Sequence, residues 1–182
     1  MPDNYLIALV SLLTLFQAFG FSSLYFKTPK PYLLFQTAIL YMIFSVVLLA
    51  AGFLLGGQFN ILLSGIATQG GLTIFTVLAI KLIISGVKGK PLDRVFDIAR
   101  PGTYIGLLIA INIENFLAGL GSGIMNPDIT RQLILIFAGA GFLGFLGGGI
   151  AGRRTGLFMS NKLELMIAVA FMIFIIYGFL LL

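Results

Sequence analysis

One uncharged stretch decides the fold: residues 32–55 read YLLFQTAILYMIFSVVLLAAGFLL. These 24 residues contain no Asp, Glu, Lys or Arg, and apolar side chains fill most of the positions. A bilayer core about 30 Å thick is crossed by a helix of about 20 apolar residues. The stretch therefore predicts a transmembrane helix.

The whole chain shares this apolar character. Of its 182 residues, 59% are hydrophobic and 9% are charged, and the mean hydropathy is +1.11. Soluble domains are about one quarter charged, so the chain has too little polar surface for a water-soluble globule. Its apolar runs are continuous rather than alternating, which excludes a β-barrel. We predict an all-α integral membrane protein with six transmembrane helices, at residues 5–26, 32–55, 61–85, 102–125, 132–151 and 163–182, and a short turn at 56–60.

Basic residues indicate the sidedness of these helices. Cytoplasmic connectors of membrane proteins are enriched in Lys and Arg. Lys81 lies near one end of the third helix and is expected to extend to the cytoplasmic surface there. The distribution predicts a multi-pass protein of the plasma membrane with both termini outside. Nine of the eleven basic residues lie in the first, third and fifth connectors: Lys27, Lys30, Lys88, Lys90, Arg94, Arg100, Arg153, Arg154 and Lys162.

The chain divides into two halves of three helices, residues 1–86 and 102–182, joined by a polar connector at 87–101. Apolar residues recur at helical spacing in the connector, which predicts an amphipathic helix on the cytoplasmic surface. With three helices per half, a duplicated half would be inverted in the membrane. Similar segments follow the same order in both halves, such as AAGFLLGG at 50–57 and GAGFLGFLGGG at 139–149. We therefore predict two inverted repeats, the usual architecture of secondary transporters.

Glu114 is the strongest candidate for a functional residue, because it lies near the centre of the fourth predicted helix. An ionisable group at that depth is costly unless it faces a partner or water. We predict an oxygen-rich cation or proton site that combines Glu114 with Asn112, Asn115, Gln17 and Thr14. The alternative is a neutral Glu114 that hydrogen-bonds between helices and only stabilises packing. Small residues at four-residue spacing predict close helix contacts, in the fourth helix (Gly102, Gly106, Ala110, Ala118 and Ser122) and in the fifth (Gly144, Gly148 and Gly152).

Several classes of function are disfavoured by the residues that the chain lacks. It has no histidine and no cysteine, so the side chain that titrates near neutral pH and the thiolate metal ligands are both absent. No second carboxylate lies deep in a predicted helix to share acid–base work. We therefore expect neither an enzyme nor a bound cofactor. The net charge of +5 follows membrane sidedness, and nucleic acid is not expected as a partner.

The segment INIENFLAGLGSG at 111–123 resembles the motif of the manganese efflux pump (MntP-like) family in the LysE transporter superfamily. Asn112, Ile113 and Glu114 stand where that family shows Ser, an apolar residue and Asp. The later GRRTG at 152–156 is also similar. The resemblance implies a fold of three plus three helices and Mn²⁺ export. It also implies an acidic residue in the first helix, where Gln17 stands in this chain.

Two functions follow from these observations. The first is divalent-cation efflux of the manganese type, with Glu114 at a site near the membrane midplane. The second is a non-transporting membrane subunit or scaffold of a larger complex, which the missing acid in the first helix favours. The expected partners are the lipid bilayer, a transported cation, and either other proteins or a second copy of the chain.

Overall fold

The computed structural model describes residues 3–25, 31–88, 101–127, 130–155 and 160–180, and these ranges are helical throughout apart from short turns. The predicted all-α class is confirmed. The predicted amphipathic helix at 87–101 falls largely on residues 89–100, which lie outside the described residues. The helices are α1 (Asp3–Tyr25), α2 (Pro31–Leu62), α3 (Ala67–Lys88), α4 (Pro101–Met125), α5 (Thr130–Thr155) and α6 (Ser160–Leu180).

Five of these helices are long and apolar enough to cross a membrane, and α6 contributes a shorter apolar stretch, Leu165–Leu180. The outer surface agrees with a lipid environment. Large apolar side chains such as Val47, Leu54 and Ile173 are more than half exposed. In water an apolar surface of this extent would promote aggregation, whereas in lipid it is the expected exterior.

The predicted turn at 56–60 is wrong, because α2 continues without a break through Gly56 and Gly57 to Leu62. The chain reverses at residues 63–66 instead, where Gly65 has a φ of 94°. That left-handed conformation is readily adopted by glycine. Gly56 is kept helical by tertiary contact, since a Cβ at this position would collide with the Leu120 carbonyl oxygen of α4.

The two halves interlock. Among the described residues, every helix pair with substantial contact takes one helix from α1–α3 and one from α4–α6. The most extensive contacts join α2 to α4 and α1 to α5, followed by α3 with α6 and with α4. The helices of each half therefore complete their packing mainly on helices of the other half.

Glycines set the closest approach between α2 and α4. A Cβ at Gly52 would collide with the Phe116 carbonyl oxygen, and one at Gly119 would collide with the Leu49 carbonyl oxygen. On α5, Gly144 and Gly148 lie in the same way against carbonyl oxygens of α1. The predicted contact stripe of α5 is confirmed at these two positions. The surroundings of Gly152, the third residue of the stripe, are outside what the structure describes.

The predicted stripe of α4 is only partly correct. Ala118 and Ser122 are buried, but Gly106 and Ala110 are exposed, and a Cβ at Gly106 would meet nothing within 4 Å. The close contacts of α4 are made on a neighbouring face, by Gly119 and Gly123. Four-residue spacing alone cannot distinguish between these two faces, because glycine is abundant on both.

Candidate functional site

One turn of α4 carries three polar side chains in the middle of the helix: Asn112, Glu114 and Asn115. Helical geometry, with 3.6 residues per turn, places the two asparagines on one side and Glu114 on another. Asn112 and Asn115 are fully buried, whereas the Glu114 side chain retains 13% exposure. The turn therefore serves two polar clusters, one neutral and one charged.

The charged cluster joins α1, α3 and α4 through Glu114. The Lys81 Nζ atom of α3 lies 2.9 Å from Glu114 Oε1. The Gln17 side chain of α1 donates from Nε2 to Glu114 Oε2. Both carboxylate oxygens are thus occupied by donors from other helices. The remaining amide oxygen, Gln17 Oε1, is buried without a hydrogen-bond partner among the described residues, so the cluster retains one unused acceptor.

Lys81 does not follow the expectation that its side chain extends to the membrane surface. It lies seven residues before Lys88, the last residue of α3, which corresponds to about 10 Å of helix rise. Its ammonium forms the ion pair with Glu114 instead. The reason is proximity: α3 packs on α4, so the carboxylate is within reach of the flexible lysine stem.

The neutral cluster is organised around Asn112. Asn112 Oδ1 accepts hydrogen bonds from Ser45 Oγ at 2.5 Å and from Asn115 Nδ2 at 2.6 Å. Asn112 Nδ2 donates to the Leu108 carbonyl oxygen at 2.8 Å. Thr14 Oγ1 lies 3.2 Å from Asn115 Oδ1, which brings α1 into the cluster. A buried amide of this kind is stable only because its donors and acceptors are paired.

Tyr41 of α2 completes the wall of the neutral cluster. Its side chain is fully buried and its ring stacks with Phe21 and contacts Phe145. The hydroxyl faces Ser45 and Asn115 but meets the geometry of a hydrogen bond with neither. Among the described residues this hydroxyl has no hydrogen-bond partner, so it is an unused donor and acceptor beside the asparagines.

The five residues predicted to form one cation site belong to these two separate clusters, as their hydrogen bonds show. Glu114 and Gln17 bond directly to each other, and Asn112, Asn115 and Thr14 bond among themselves. Thr14 and Gln17 lie one turn apart on α1, so the clusters are neighbours. Within the described ranges, no group of three or more Asp or Glu side chains gathers.

Sequence reasoning missed Lys81, Ser45 and Tyr41 as members of these clusters. The position of Lys81 within α3 could have indicated its role, because two helical turns separate it from Lys88 at the end of the helix. Ser45 lies within an apolar stretch, and no spacing rule reveals which helix it faces. Tyr41 gave no sequence signal, since tyrosine is common in apolar helices and only tertiary packing shows that its hydroxyl is enclosed.

Comparison with known proteins adds no relative. No protein-family profile, curated protein or solved structure matches the chain.

Proposed function

We propose that this protein is a multi-pass transporter of the plasma membrane that exports a cation, with Glu114 as the carboxylate that binds it. The substrate class that we propose is a divalent cation of the manganese type, on the resemblance of residues 111–123 to the manganese efflux pump family. The observation that carries the proposal is the contact of Glu114 with the Lys81 ammonium and the Gln17 amide, in the middle of three packed helices.

A purely structural role explains this cluster poorly. Charged side chains within membrane helices are costly, and they mark ion pathways and proton relays more often than packing contacts. An ion pair with a largely buried carboxylate is also a weak stabiliser compared with well-packed apolar side chains. The helices are already held by glycine contacts and by apolar clusters around Phe75 and Tyr41. A charged centre is thus better explained by ion binding than by folding.

The packing pattern supports the inverted repeats that this proposal includes. The set of helix contacts is unchanged when α1 is exchanged with α4, α2 with α5 and α3 with α6. Each substantial contact then becomes another observed contact or remains the same contact. For example, the contact of α2 with α4 becomes that of α5 with α1. A two-fold axis in the membrane plane would produce this pattern, and transporters with such an axis bind substrate where the halves meet.

Glycine contacts support a specific register for the two repeats. Gly52 approaches the carbonyl of Phe116, while Gly144 approaches the carbonyl of Leu15. The segments around the two glycines are also similar in sequence, with Gly-Phe-Leu at 52–54 and at 144–146. If these glycines are equivalent, then Leu15 of α1 is equivalent to Phe116 of α4.

This register makes Leu13 the counterpart of Glu114. Leu13 lies two residues before Leu15, and Glu114 lies two residues before Phe116. Gln17 then corresponds to Ala118 and reaches Glu114 across the contact between the halves. In this arrangement the position of the first half that corresponds to Glu114 is filled by the buried Leu13, and not by Gln17, which the family resemblance places there. The site that we propose is therefore asymmetric, with its single carboxylate in α4.

Flux measurements in proteoliposomes test the proposal. We expect Mn²⁺ to cross membranes that contain the wild-type protein, and Glu114→Gln to abolish this flux. Glu164→Gln is the matched control, since it makes the same chemical change in the chain's other glutamate, at the start of α6. Equal flux in wild type and Glu114→Gln would remove Glu114 from the mechanism.

Folding has to be controlled in this experiment, because Glu114→Gln leaves the Lys81 ammonium without its carboxylate. Removing one member of a buried ion pair is often more damaging than removing both. The double variant Lys81→Met/Glu114→Gln therefore provides a second test. It should be well folded and should transport no Mn²⁺.

A second function is favoured by one observation. The Lys81–Glu114 pair is formally neutral and both carboxylate oxygens are already satisfied by the protein. A non-transporting subunit of a larger membrane complex would need no more than this. It predicts no flux of any divalent cation from well-folded wild type, together with stable co-purification of other membrane proteins.

A further inference from the structure

We propose that the Lys81 ammonium is a built-in competitor of the transported cation: it occupies Glu114 while no ion is bound and leaves the carboxylate, still charged, when an ion arrives. This inference rests on the proposed function, because it assumes that Glu114 binds a cation. It assigns Lys81 as the residue that sets ion affinity and promotes ion release.

The geometry of the pair supports displacement rather than permanent attachment. Lys81 Nζ lies 2.9 Å from Oε1 of Glu114. The Lys81 side chain is 41% exposed, against 13% for Glu114, so the protein confines the flexible lysine stem less than it confines the carboxylate. A lysine is suited to this role, since it is a compact point charge on a flexible stem with no fixed fork geometry.

Gln17 keeps the carboxylate in place when the ammonium leaves. Its Nε2 donates to Glu114 Oε2, whereas the ion pair with Lys81 is formed at Oε1. Its Oε1 has no partner among the described residues and is buried. An incoming cation that replaced the ammonium would therefore meet a carboxylate oxygen and an unused amide oxygen, which are both ligands that Mn²⁺ accepts.

In the proposed mechanism, Lys81 balances the charge of Glu114 while no ion is bound. A single carboxylate buried without a counter-ion is costly in a membrane, and Lys81 removes that cost in the empty state. The same ammonium weakens ion binding, because the ion has to displace it. Conduction and transport require binding that is weak enough for release, so the lysine should raise both the dissociation constant and the turnover rate.

Equilibrium binding of Mn²⁺ to the purified protein in lipid nanodiscs tests this inference. We expect Lys81→Met, which keeps the stem length and removes the charge, to tighten Mn²⁺ binding by about 5- to 150-fold, the usual range of coupling between linked sites. In flux assays the same variant should show a lower KM and a lower kcat. A merely structural lysine would give a less stable protein without this opposite change of affinity and turnover.

A second variant covers the case in which Lys81→Met does not fold. Lys81→Arg keeps the positive charge and adds a planar fork that can bind both oxygens of a carboxylate. We expect it to hold Glu114 more firmly and to weaken Mn²⁺ binding. An unchanged dissociation constant in either folded variant would overturn the competitor role.

The outcomes separate this inference from the proposed function. Mn²⁺ binding that depends on Glu114 in wild type, but is equal in wild type, Lys81→Met and Lys81→Arg, overturns the inference and leaves the transporter standing. No Mn²⁺ binding by wild type or Lys81→Met, with both well folded, overturns the proposed function for this ion and the inference with it. Tighter binding in Lys81→Met that is lost in Lys81→Met/Glu114→Gln supports both.

Discussion

Substitution of two glycines on the same helix provides a direct test of how α4 packs. Gly119 and Gly106 both lie within α4, and both can be replaced by alanine. A Cβ at Gly119 would collide with the Leu49 carbonyl oxygen of α2 and would also lie 3.1 Å from the Phe53 amide nitrogen, whereas a Cβ at Gly106 would meet nothing within 4 Å. The chemical change is the same in both variants, so the difference in stability reports the helix contact alone.

The expected magnitude follows from two opposing effects. Replacing glycine by alanine inside a helix favours the helical state by about 1 kcal/mol, and this gain should appear in full in Gly106→Ala. Overpacking typically costs about 1–3 kcal/mol, and backbone atoms cannot move aside as a side chain does. We therefore expect Gly119→Ala to be less stable than Gly106→Ala by about 1–3 kcal/mol, with Gly106→Ala at or above wild type.

Thermal unfolding in detergent, followed by the loss of monodisperse protein in size-exclusion chromatography, measures this difference. For soluble domains of similar length, a change of 1 kcal/mol in the free energy of unfolding shifts the midpoint of thermal unfolding by about 2–4 °C. Gly119→Ala should therefore melt several degrees below Gly106→Ala. Equal midpoints for the two variants would refute the close approach of α2 and α4, and with it the arrangement that brings Ser45 to Asn112.

The neutral cluster gives two further predictions. Tyr41→Phe should leave the melting temperature unchanged or slightly higher, because the buried hydroxyl that it removes has no hydrogen-bond partner among the described residues; a loss of stability of more than about 1 kcal/mol would mean that the hydroxyl is paired. Asn112→Leu should lower stability by about 1–3 kcal/mol, because it leaves the Ser45 hydroxyl and the Asn115 amide without their acceptor; an unchanged melting temperature in this variant would show that the two groups find other partners.

Much of the fold was predictable because the membrane imposes one simple requirement. Each apolar run has to satisfy its own backbone as a helix, so length and hydropathy alone give the type and approximate bounds of the helices. The turn after α2 was misplaced because Gly56 and Gly57 have low helix propensity. Close contact with α4 overrides that propensity, and a local sequence reading contains no information about α4.

The candidate site was predictable only in part, for a similar reason. Glu114 is conspicuous because a carboxylate in the middle of an apolar helix is unusual, and its neighbours on α1 and α4 could be chosen as polar groups at similar depth. Lys81 was assigned to the surface by a rule that describes lysines near helix ends. Its contact with Glu114 depends on which helices are adjacent, and adjacency between α3 and α4 has no signature in the spacing of either helix.

The interlocking of the two halves has a consequence for the biogenesis of the protein. Because α1, α2 and α3 have their substantial contacts with α4, α5 and α6, insertion into a membrane during translation would leave the first three helices without their packing partners until the second half is synthesised. Until the second half arrives, close-contact faces such as that of Gly52 on α2 have only lipid or the insertion machinery as neighbours. Two separately expressed fragments, divided in the connector after α3, should accordingly be short-lived alone and stabilise each other when they are produced together.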